Sequence, residues 1–571
     1  MWSEKLYDGS FEGLSPYRFA FLRETDFREK PWYPIGATNR AEFSLDRKDP
    51  VSGLVSKKIE AREAVPCMVG ISQDGIAVER AKACAFTCYL RQKGIQKPVQ
   101  VRLHHEQSLL ASCEFQVGQE WKKFSASLKP TETDTNATLT IEFHGPGTLW
   151  LDNASLMPQD NMGGWRSDVV AAVKALQPGI IRFGGSALDE PGFGDFDWRR
   201  TIGDPDRRSP FRAWGGLQPT GPGLEEFVQF CRLVKAEPLI CVRFAGRTPR
   251  DAAEQVEYFN GSAATPMGAL RAKNGHPEPY RVRYWQVGNE RSGSEYENRL
   301  ADFCRAMKKV DPSIQLLSSY PTSEVLRQAG DLIDFVCPHH YDCGNLAATE
   351  EDIRKTQRLL GTHAPGKSIK IAVTEWNTTA GDWGPRRARL WTLENALACS
   401  RYHNLIHRHA DVVQIANRSN LANSFCSGII QTDNHRLYKT PTYYAQQLYA
   451  TLAGNRAMKV ESPRPSENLD VSATLTKSGD AVILFAINDG LNDMVRSVDF
   501  SSFGDRGQEV STWILTDRKQ AGEPDVNNSF GDPERISPAP SKLRTTSPRF
   551  DHHFPALSLT VIRWEVQQKD K

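Results

Sequence analysis

The sequence predicts an α/β protein: a (β/α)8 (TIM) barrel with an inserted β-sandwich and a C-terminal β-sandwich domain. Three observations predict it. From Gln177 to Asn417 short apolar runs alternate with stretches of helical periodicity, the pattern of successive βα units. Between Gly13 and Pro178 lie short alternating segments separated by turn residues, a gap too long for one helix and composed like a sandwich. After Gly454 the pattern turns all-β.

Taken in order, "EKLYDGSFEG" (4–13) supplies the first barrel strand. The sandwich follows with "AKACAFTCYLRQ" (81–92), "PVQVRLHH" (98–105), "KKFSASL" (122–128), "ATLTIEFHG" (137–145) and "GTLWLDNASLMP" (147–158). The helix "RSDVVAAVKALQP" (166–178) leads back to the second barrel strand, "GIIRFGG" (179–185). Strands three to eight are "PLICVRF" (238–244), "VRYWQVGNE" (282–290), "IQLLSS" (314–319), "LIDFVCPHHY" (332–341), "IKIAVTEWN" (369–377) and "DVVQIAN" (411–417). Amphipathic runs such as 223–237, 296–312, 350–361 and 386–409 separate them, and 440–454 is the last barrel helix. Strands at 481–489, 509–516 and 557–566 build the C-terminal sandwich, and the Pro-, Ser- and Asp-rich segment 517–555 is expected to loop over the surface. The domain boundaries follow: 1–39 for the first strand and its connection, 40–158 for the inserted sandwich, 159–454 for the rest of the barrel, and 455–571 for the C-terminal domain.

Bulk properties narrow the function. With 571 residues, 39% hydrophobic, 25% charged and a formal charge of +2, the chain is ordinary globular protein with no electrostatic case for a nucleic-acid or membrane partner. No apolar run approaches the ~20 residues of a membrane helix. No basic segment followed by an apolar one marks a signal peptide. As it stands the chain is expected in the cytoplasm, or outside it if the N-terminus is truncated. The eleven cysteines lack metal or disulfide spacing and are expected as mostly free, buried thiols. Oligomeric state is not readable.

In such barrels chemistry sits at the C-terminal ends of the strands. The fourth ends on Asn289 and Glu290, the seventh on Glu375, and the sixth on His339-His340-Tyr341. The first ends near Glu12, the second at Arg182, and the eighth at Asn417 with "NLAN" (420–423) beyond it. A lone Glu at a strand end is more often a solvated loop charge. His339 with Tyr341 reads equally as a satisfied core pair, and the asparagines as turn residues. What shifts the balance is the coincidence of Glu or Arg at four strand ends on the reactive face. Two carboxylates facing one cavity are what glycoside hydrolysis needs, one to protonate the leaving oxygen and one to attack or to activate water. Asn289, beside Glu290, is placed to bind a sugar hydroxyl.

The motifs "YWQVGNE" and "AVTEWN", with "HPEPYRVRYW" (276–285), "LYDGSFEGL" (6–14), "LQPGIIRFGG" (176–185) and "FDWRRTIGDPDRR" (196–208), resemble glycoside hydrolase family 51 of clan A, mainly α-L-arabinofuranosidases, from about Leu6 to Ala450. The resemblance implies a retaining mechanism with Glu290 as acid/base and Glu375 as nucleophile. It implies that Asn289 holds the sugar 2-hydroxyl and Tyr341 positions the nucleophile. Glu12, Arg182 and Asn420 would line the sugar subsite, and His339 is grouped with these substrate-binding residues. No cofactor or metal is implied. The sequence departs from the family at Phe183-Gly184-Gly185-Ser186, where Pro-Gly-Gly-Asn or Pro-Gly-Gly-Cys is usual, in the longer loop 187–196, and at Asn420, where Gln is common. All three departures fall in the expected sugar subsite.

The resulting expectation is an exo-acting α-L-arabinofuranosidase with an oligo- or polysaccharide substrate. A related enzyme for another furanoside, or an endo-β-glucanase, keeps the same machinery. A non-catalytic carbohydrate-binding barrel is the alternative from a different class, and the presence of both glutamates argues against it.

Overall fold

A computed structural model describes residues 1–13, 31–62, 68–189, 194–213, 216–379, 385–423, 428–461 and 469–567. The inserted sandwich consists of ten strands: β1 (Tyr33–Gly36), β2 (Ala41–Asp46), β3 (Ser56–Ala61), β4 (Val69–Val78), β5 (Cys84–Lys93), β6 (Val99–His105), β7 (Ser108–Phe115), β8 (Lys122–Leu128), β9 (Asp134–Phe143) and β10 (Gly147–Pro158). They form two five-stranded sheets, β1-β4-β9-β6-β7 and β2-β3-β10-β5-β8. Strand alternation sets the core: in β6, Val99, Val101 and Leu103 are fully buried while Gln100, Arg102 and His104 face outward. The sandwich begins earlier than residue 40, because β1 pairs with β4 from Tyr33 onward.

The expected first barrel strand is absent from the described residues. Residues 4–13 instead run along the sandwich. Lys5 N donates to Leu156 O at 3.0 Å, Ala154 N donates to Gly9 O at 2.8 Å, and Leu6 and Phe11 enter the sandwich core. Two features divert the segment. Asp8, Phe11 and Gly13 all have left-handed backbone, with φ of 49°, 59° and 70°, which no strand tolerates. At Gly9 a Cβ would lie 1.8 Å from Ala154 O, so only glycine allows that close approach.

The barrel alternates strand and helix: α1 (Ser167–Leu176), β11 (Ile180–Phe183), α2 (Ser186–Asp189), the hairpin β12 (Phe211–Ala213) and β13 (Gly216–Gln218), α3 (Leu224–Val234), β14 (Glu237–Val242), α4 (Pro249–Asn260), α5 (Pro266–Lys273), β15 (Tyr284–Val287), α6 (Ser294–Val310), β16 (Gln315–Leu317), α7 (Ser323–Ala329), β17 (Phe335–Val336), β18 (His339–His340), α8 (Leu346–His363), β19 (Lys370–Trp376), α9 (Leu393–Arg408), β20 (Val413–Arg418), the hairpin β21 (Ile430–Thr432) and β22 (Leu437–Lys439), and α10 (Pro441–Leu452). The parallel sheet runs β11-β14-β15-β16-β17-β19, with β18 and β20 also on β19. Cys337-Pro338 splits the sixth expected strand into β17 and β18, since proline cannot donate to the ladder. The described residues thus provide seven strand positions in a nearly closed barrel. Asn417 Nδ2 at the end of β20 donates to Ile180 O on β11 at 3.1 Å. Trp285, Val287, Leu316, Val336, Ile371 and Val373 are fully buried in its core.

The C-terminal domain holds β23 (Arg456–Met458), β24 (Leu469–Leu475), β25 (Ala481–Asn488), β26 (Met494–Asp499), β27 (Glu509–Leu515), β28 (Ala539–Arg544), β29 (Arg549–Phe554) and β30 (Ser558–Glu565). Six strands pair as β23-β24-β25-β30-β27-β28, and β26 pairs with β29 over a core containing Trp564, Phe500 and Phe554. Segment 517–555 is therefore not all loop: it carries β28 and β29, mostly exposed strands whose polar composition conceals them. The nine cysteines among the described residues form no disulfide, and eight are buried. No described helix is long and apolar enough to cross a membrane.

Candidate active site

At the end of β15, Gly288 N donates to Val242 O on β14 at 2.9 Å. Gly288 then turns the chain with φ 77°; a Cβ there would sit 3.0 Å from Arg291 Cγ and 3.2 Å from the Tyr296 ring. Glu290 also adopts left-handed backbone, φ 52°, a conformation that residues with a Cβ use sparingly and that clusters at functional positions. The turn buries Asn289 and leaves the Glu290 side chain 38% exposed.

β19 brings Glu375 to the same cavity, with its side chain 13% exposed. One carboxylate oxygen of Glu290, one of Glu375 and a ring nitrogen of His339 lie within 4.8 Å of one another. His339, paired in register with Glu375 across β18 and β19, has Nδ1 3.0 Å from Glu290 Oε1 and 3.7 Å from Glu375 Oε2. Its Nε2 is 3.1 Å from Thr374 Oγ1. The imidazole therefore lies between the two carboxylates.

Arg182 on β11 occupies the barrel floor. Its Nε donates to Gln286 Oε1 at 2.8 Å, and its two terminal nitrogens donate to Glu375 Oε1 and Asn289 Oδ1, each at 2.7 Å. The planar guanidinium suits such a fan of contacts. Gly184 makes room for it, since a Cβ there would lie 2.5 Å from Arg182 Cζ. Tyr341 donates to the other Glu375 oxygen and its hydroxyl is 3.0 Å from Ser419 Oγ. Burial alone would raise the Glu375 carboxyl; Arg182, His339 and Tyr341 together outweigh it and hold the group below its ordinary value. Glu375 is thus ionised and gripped at both oxygens. Burial, followed by the nearby charge of Glu290 and a hydrogen bond to it, pushes the Tyr320 hydroxyl up, so Tyr320 stays a donor to Glu290. Burial also lifts the thiols of Cys241 and Cys337, near Arg182, to about 12, which removes them as competing nucleophiles.

The Glu290, His339 and Glu375 donor atoms are close enough to ligate a cation. The guanidinium 2.7 Å from Glu375 already supplies the positive charge there, so the donor set fits acid–base chemistry better than a metal.

A third carboxylate organises the site from behind. Asp189, at the end of α2 and with a fully buried side chain, accepts from Phe244 N (3.0 Å) and Ala245 N (2.7 Å) at Oδ1, and from Asn289 N (3.0 Å) and Arg291 Nε (2.9 Å) at Oδ2. Arg291 N in turn donates to Ser319 Oγ at 2.6 Å. The loops after β11, β14, β15 and β16 are thereby joined.

Of the residues expected from sequence, Glu290, Glu375, Asn289, Arg182, His339 and Tyr341 converge. Asn420 follows Ser419, the contact of Tyr341. Glu12 does not belong to the site. Its Oε1 accepts from Leu54 N at 2.6 Å and Val55 N at 3.0 Å in the sandwich, a consequence of the diverted segment 4–13. Residues 190–193 of the loop 187–196 lie outside the described residues. Sequence reasoning passed over Gln286, Thr374, Tyr320, Ser419 and Asp189. Gln286 and Thr374 had a signal, being polar residues inside otherwise apolar barrel strands; Asp189 had none, because its partners are 55 to 102 positions away.

Comparison with known proteins shows what the chain is similar to. Residues 172–358 match the α-L-arabinofuranosidase 1 domain, and 374–558 match the α-L-arabinofuranosidase C-terminal domain. Alpha-L-arabinofuranosidase 1 of Arabidopsis thaliana is 25% identical over 95% of this chain and 83% of its own. An intracellular exo-alpha-L-arabinofuranosidase of Bacteroides ovatus is 24% identical over 73% of this chain and 89% of its own. The fold matches that of an arabinose-bound GH51 α-L-arabinofuranosidase with a TM-score of 0.82 at 20% identity, covering 99% of this chain and 94% of the other. The alpha-L-arabinofuranosidase of Thermotoga maritima matches with a TM-score of 0.64 at 24% identity, over 71% and 90%. With both α-L-arabinofuranosidase domains matched in order along one chain and the same fold around them, the protein is a glycoside hydrolase similar to the α-L-arabinofuranosidases of family 51.

Proposed function

We propose that the chain is an exo-acting, retaining α-L-arabinofuranosidase. The observation that carries this reading is that one oxygen of Glu290 and one of Glu375 lie within 4.8 Å of each other, which favours the closer of two carboxyl spacings. Retaining enzymes hold their carboxyls about 5–5.5 Å apart, whereas inverting ones need roughly 6.5–9.5 Å to admit a water. Glu375, ionised on the barrel floor, attacks the anomeric carbon. Glu290, the more exposed of the two, gives its proton to the departing glycosidic oxygen. The glycosyl ester on Glu375 then opens as Glu290 takes a proton from water and that water attacks the same carbon. Arg182 holds Glu375 and Asn289 in one geometry, so the nucleophile and the group that meets the 2-hydroxyl keep a fixed spacing. Tyr341 keeps the attacking oxygen aimed. His339 and Tyr320 hold Glu290 where the leaving oxygen arrives. The α-L-arabinofuranosyl specificity rests on the family and on relatives so named.

The test is hydrolysis of 4-nitrophenyl α-L-arabinofuranoside with the first-formed anomer followed by proton NMR. The α-anomer of arabinose should form first. Formation of the β-anomer first, or inactivity on all furanosides alongside cleavage of a β-glucan, would overturn the reading. Glu290→Ala should hurt substrates with poor leaving groups most, and azide, attacking the glycosyl ester on Glu375 in place of water, should restore turnover of activated ones as an α-azide.

A further inference from the structure

The outer face of the sheet β1-β4-β9-β6-β7 holds a cavity of about 550 Å³. Its floor is one register row: Tyr33, Ser72, Thr140 and Arg102 are direct neighbours across four adjacent strands. Strand alternation puts all four opposite the buried Ile71, Ile141 and Val101. The floor is built rather than incidental. Ser72 and Thr140, each 2% exposed, share a 2.7 Å hydrogen bond. His104 Nε2 lies 3.0 Å from Thr140 Oγ1, and Arg102 donates to Glu142 Oε1 at 3.1 Å. At the edge, Tyr33 keeps 39% of its surface exposed.

We infer that this groove binds a neutral oligosaccharide. Hydroxyls, an imidazole, a guanidinium and a carboxylate supply donors and acceptors together, which is what a ligand made of hydroxyls requires. Arg102 pairs with Glu142, and Asp74 and Glu106 add carboxylates to the lining, which disfavours an anionic ligand. Tyr33 offers an apolar ring face with a polar tip. The four lining strands span three spacings of ~4.8 Å, or roughly 14 Å, room for a short oligosaccharide. On the other sheet, Trp121 and Trp150 are covered by the Arg91 guanidinium, 4.8 and 4.9 Å from their ring centroids. The strand β4, whose bulge lies at Gln73–Ile76, also meets the barrel: Ala77 N donates to Asn434 Oδ1, in the β21–β22 hairpin, at 3.2 Å. A polysaccharide held here stays beside the barrel, raising its effective concentration at the active site. The choice of sugar as ligand rests on the glycoside hydrolase reading; the groove itself does not.

The test uses the full chain with Glu375→Gln to prevent turnover. Affinity electrophoresis is run in soluble arabinoxylan, linear arabinan, β-glucan and polygalacturonate. At least one neutral polymer should retard the protein, and Tyr33→Ala and His104→Ala should each weaken binding about tenfold. Melting curves confirm that each variant folds. With Glu375 intact, Tyr33→Ala should leave nitrophenyl arabinofuranoside hydrolysis unchanged and lower the rate on the polymer that binds. No retardation by any neutral polymer, retardation that survives both variants, or binding of polygalacturonate alone would overturn the inference. Absence of nitrophenyl arabinofuranoside hydrolysis would count against the catalytic reading only, because binding is measured separately.

Discussion

Asp189→Asn tests whether the buried carboxylate behind the site sets catalytic geometry. Each Asp189 oxygen accepts two N–H groups: Phe244 and Ala245 on one, Asn289 and Arg291 on the other. An asparagine keeps one carbonyl and must point its own N–H2 at the remaining pair of donors. Two bonds to a charged acceptor are lost, each worth about 1.5–3 kcal/mol. Removing one partner of a buried ion pair costs about 3–5 kcal/mol, so both routes agree on roughly 3–5 kcal/mol. If the amide faces Asn289 and Arg291, the backbone that carries Glu290 is pushed outward. A shift of about 1 Å at reacting groups costs about 100-fold. The barrel transition should fall by roughly 6–20 °C, at 2–4 °C per kcal/mol. Well below that transition, kcat on nitrophenyl arabinofuranoside should fall about 100-fold with KM changed little. A variant that melts early yet keeps kcat within about threefold would refute the catalytic part, leaving Asp189 only as a brace for the loops.

Three further variants test other contacts of the chain. Tyr341→Phe removes a donor from Glu375, whose carboxyl is held below its ordinary value, so the acid limb of kcat/KM should move to higher pH; an unmoved limb would mean Glu375 does not set it. The depressed carboxyl also stabilises the fold: that contribution is fully present above the ordinary carboxylate range and is lost as pH falls through the folded value, so acid unfolding of Tyr341→Phe should begin at higher pH. Arg182→Lys keeps the charge but not the fork that reaches Gln286, Glu375 and Asn289 together, and should lower kcat/KM by about 100-fold; retention of full activity would show that charge alone suffices. In the C-terminal domain, the Arg535 hydrogen bonds draw the Asp517 carboxyl down to about 2. Stability from that pair is present above about 4 and lost as pH falls toward 2, so Arg535→Gln should lower the melting temperature at pH 6 and leave it little changed near pH 2.

The strand ends that carry the two glutamates were legible because a barrel strand announces itself by an apolar run and its end by polar residues, after a glycine in Val287-Gly288-Asn289-Glu290. Segment 4–13 was misread for a physical reason. Its apolar alternation is that of a strand, but left-handed backbone at Asp8 and Phe11 and the contact of Gly9 with Ala154 carry it onto the sandwich. Glu12 went with it. His339 was placed at the right strand end, but its position between the two carboxylates was not readable, since that depends on the register between β18 and β19. The strands β28 and β29 were hidden because exposed strands bury too little to need an apolar pattern. The oligosaccharide groove could not be read either: it is a row across four strands, each contributing one residue from a distant part of the chain.

The short connection from Arg182 to Asp189 has a consequence for how this enzyme can change. Its two ends are pinned, one by the guanidinium beneath Gly184 and the other by four N–H groups on Asp189. Ser186 sits between those anchors. The family resemblance puts Ser186 in the sugar subsite, and evolution or a designer can exchange it there while both anchors stay in place. Saturation at Ser186, with Gly184 and Asp189 left untouched, is the most economical route to a catalyst with a different furanose preference.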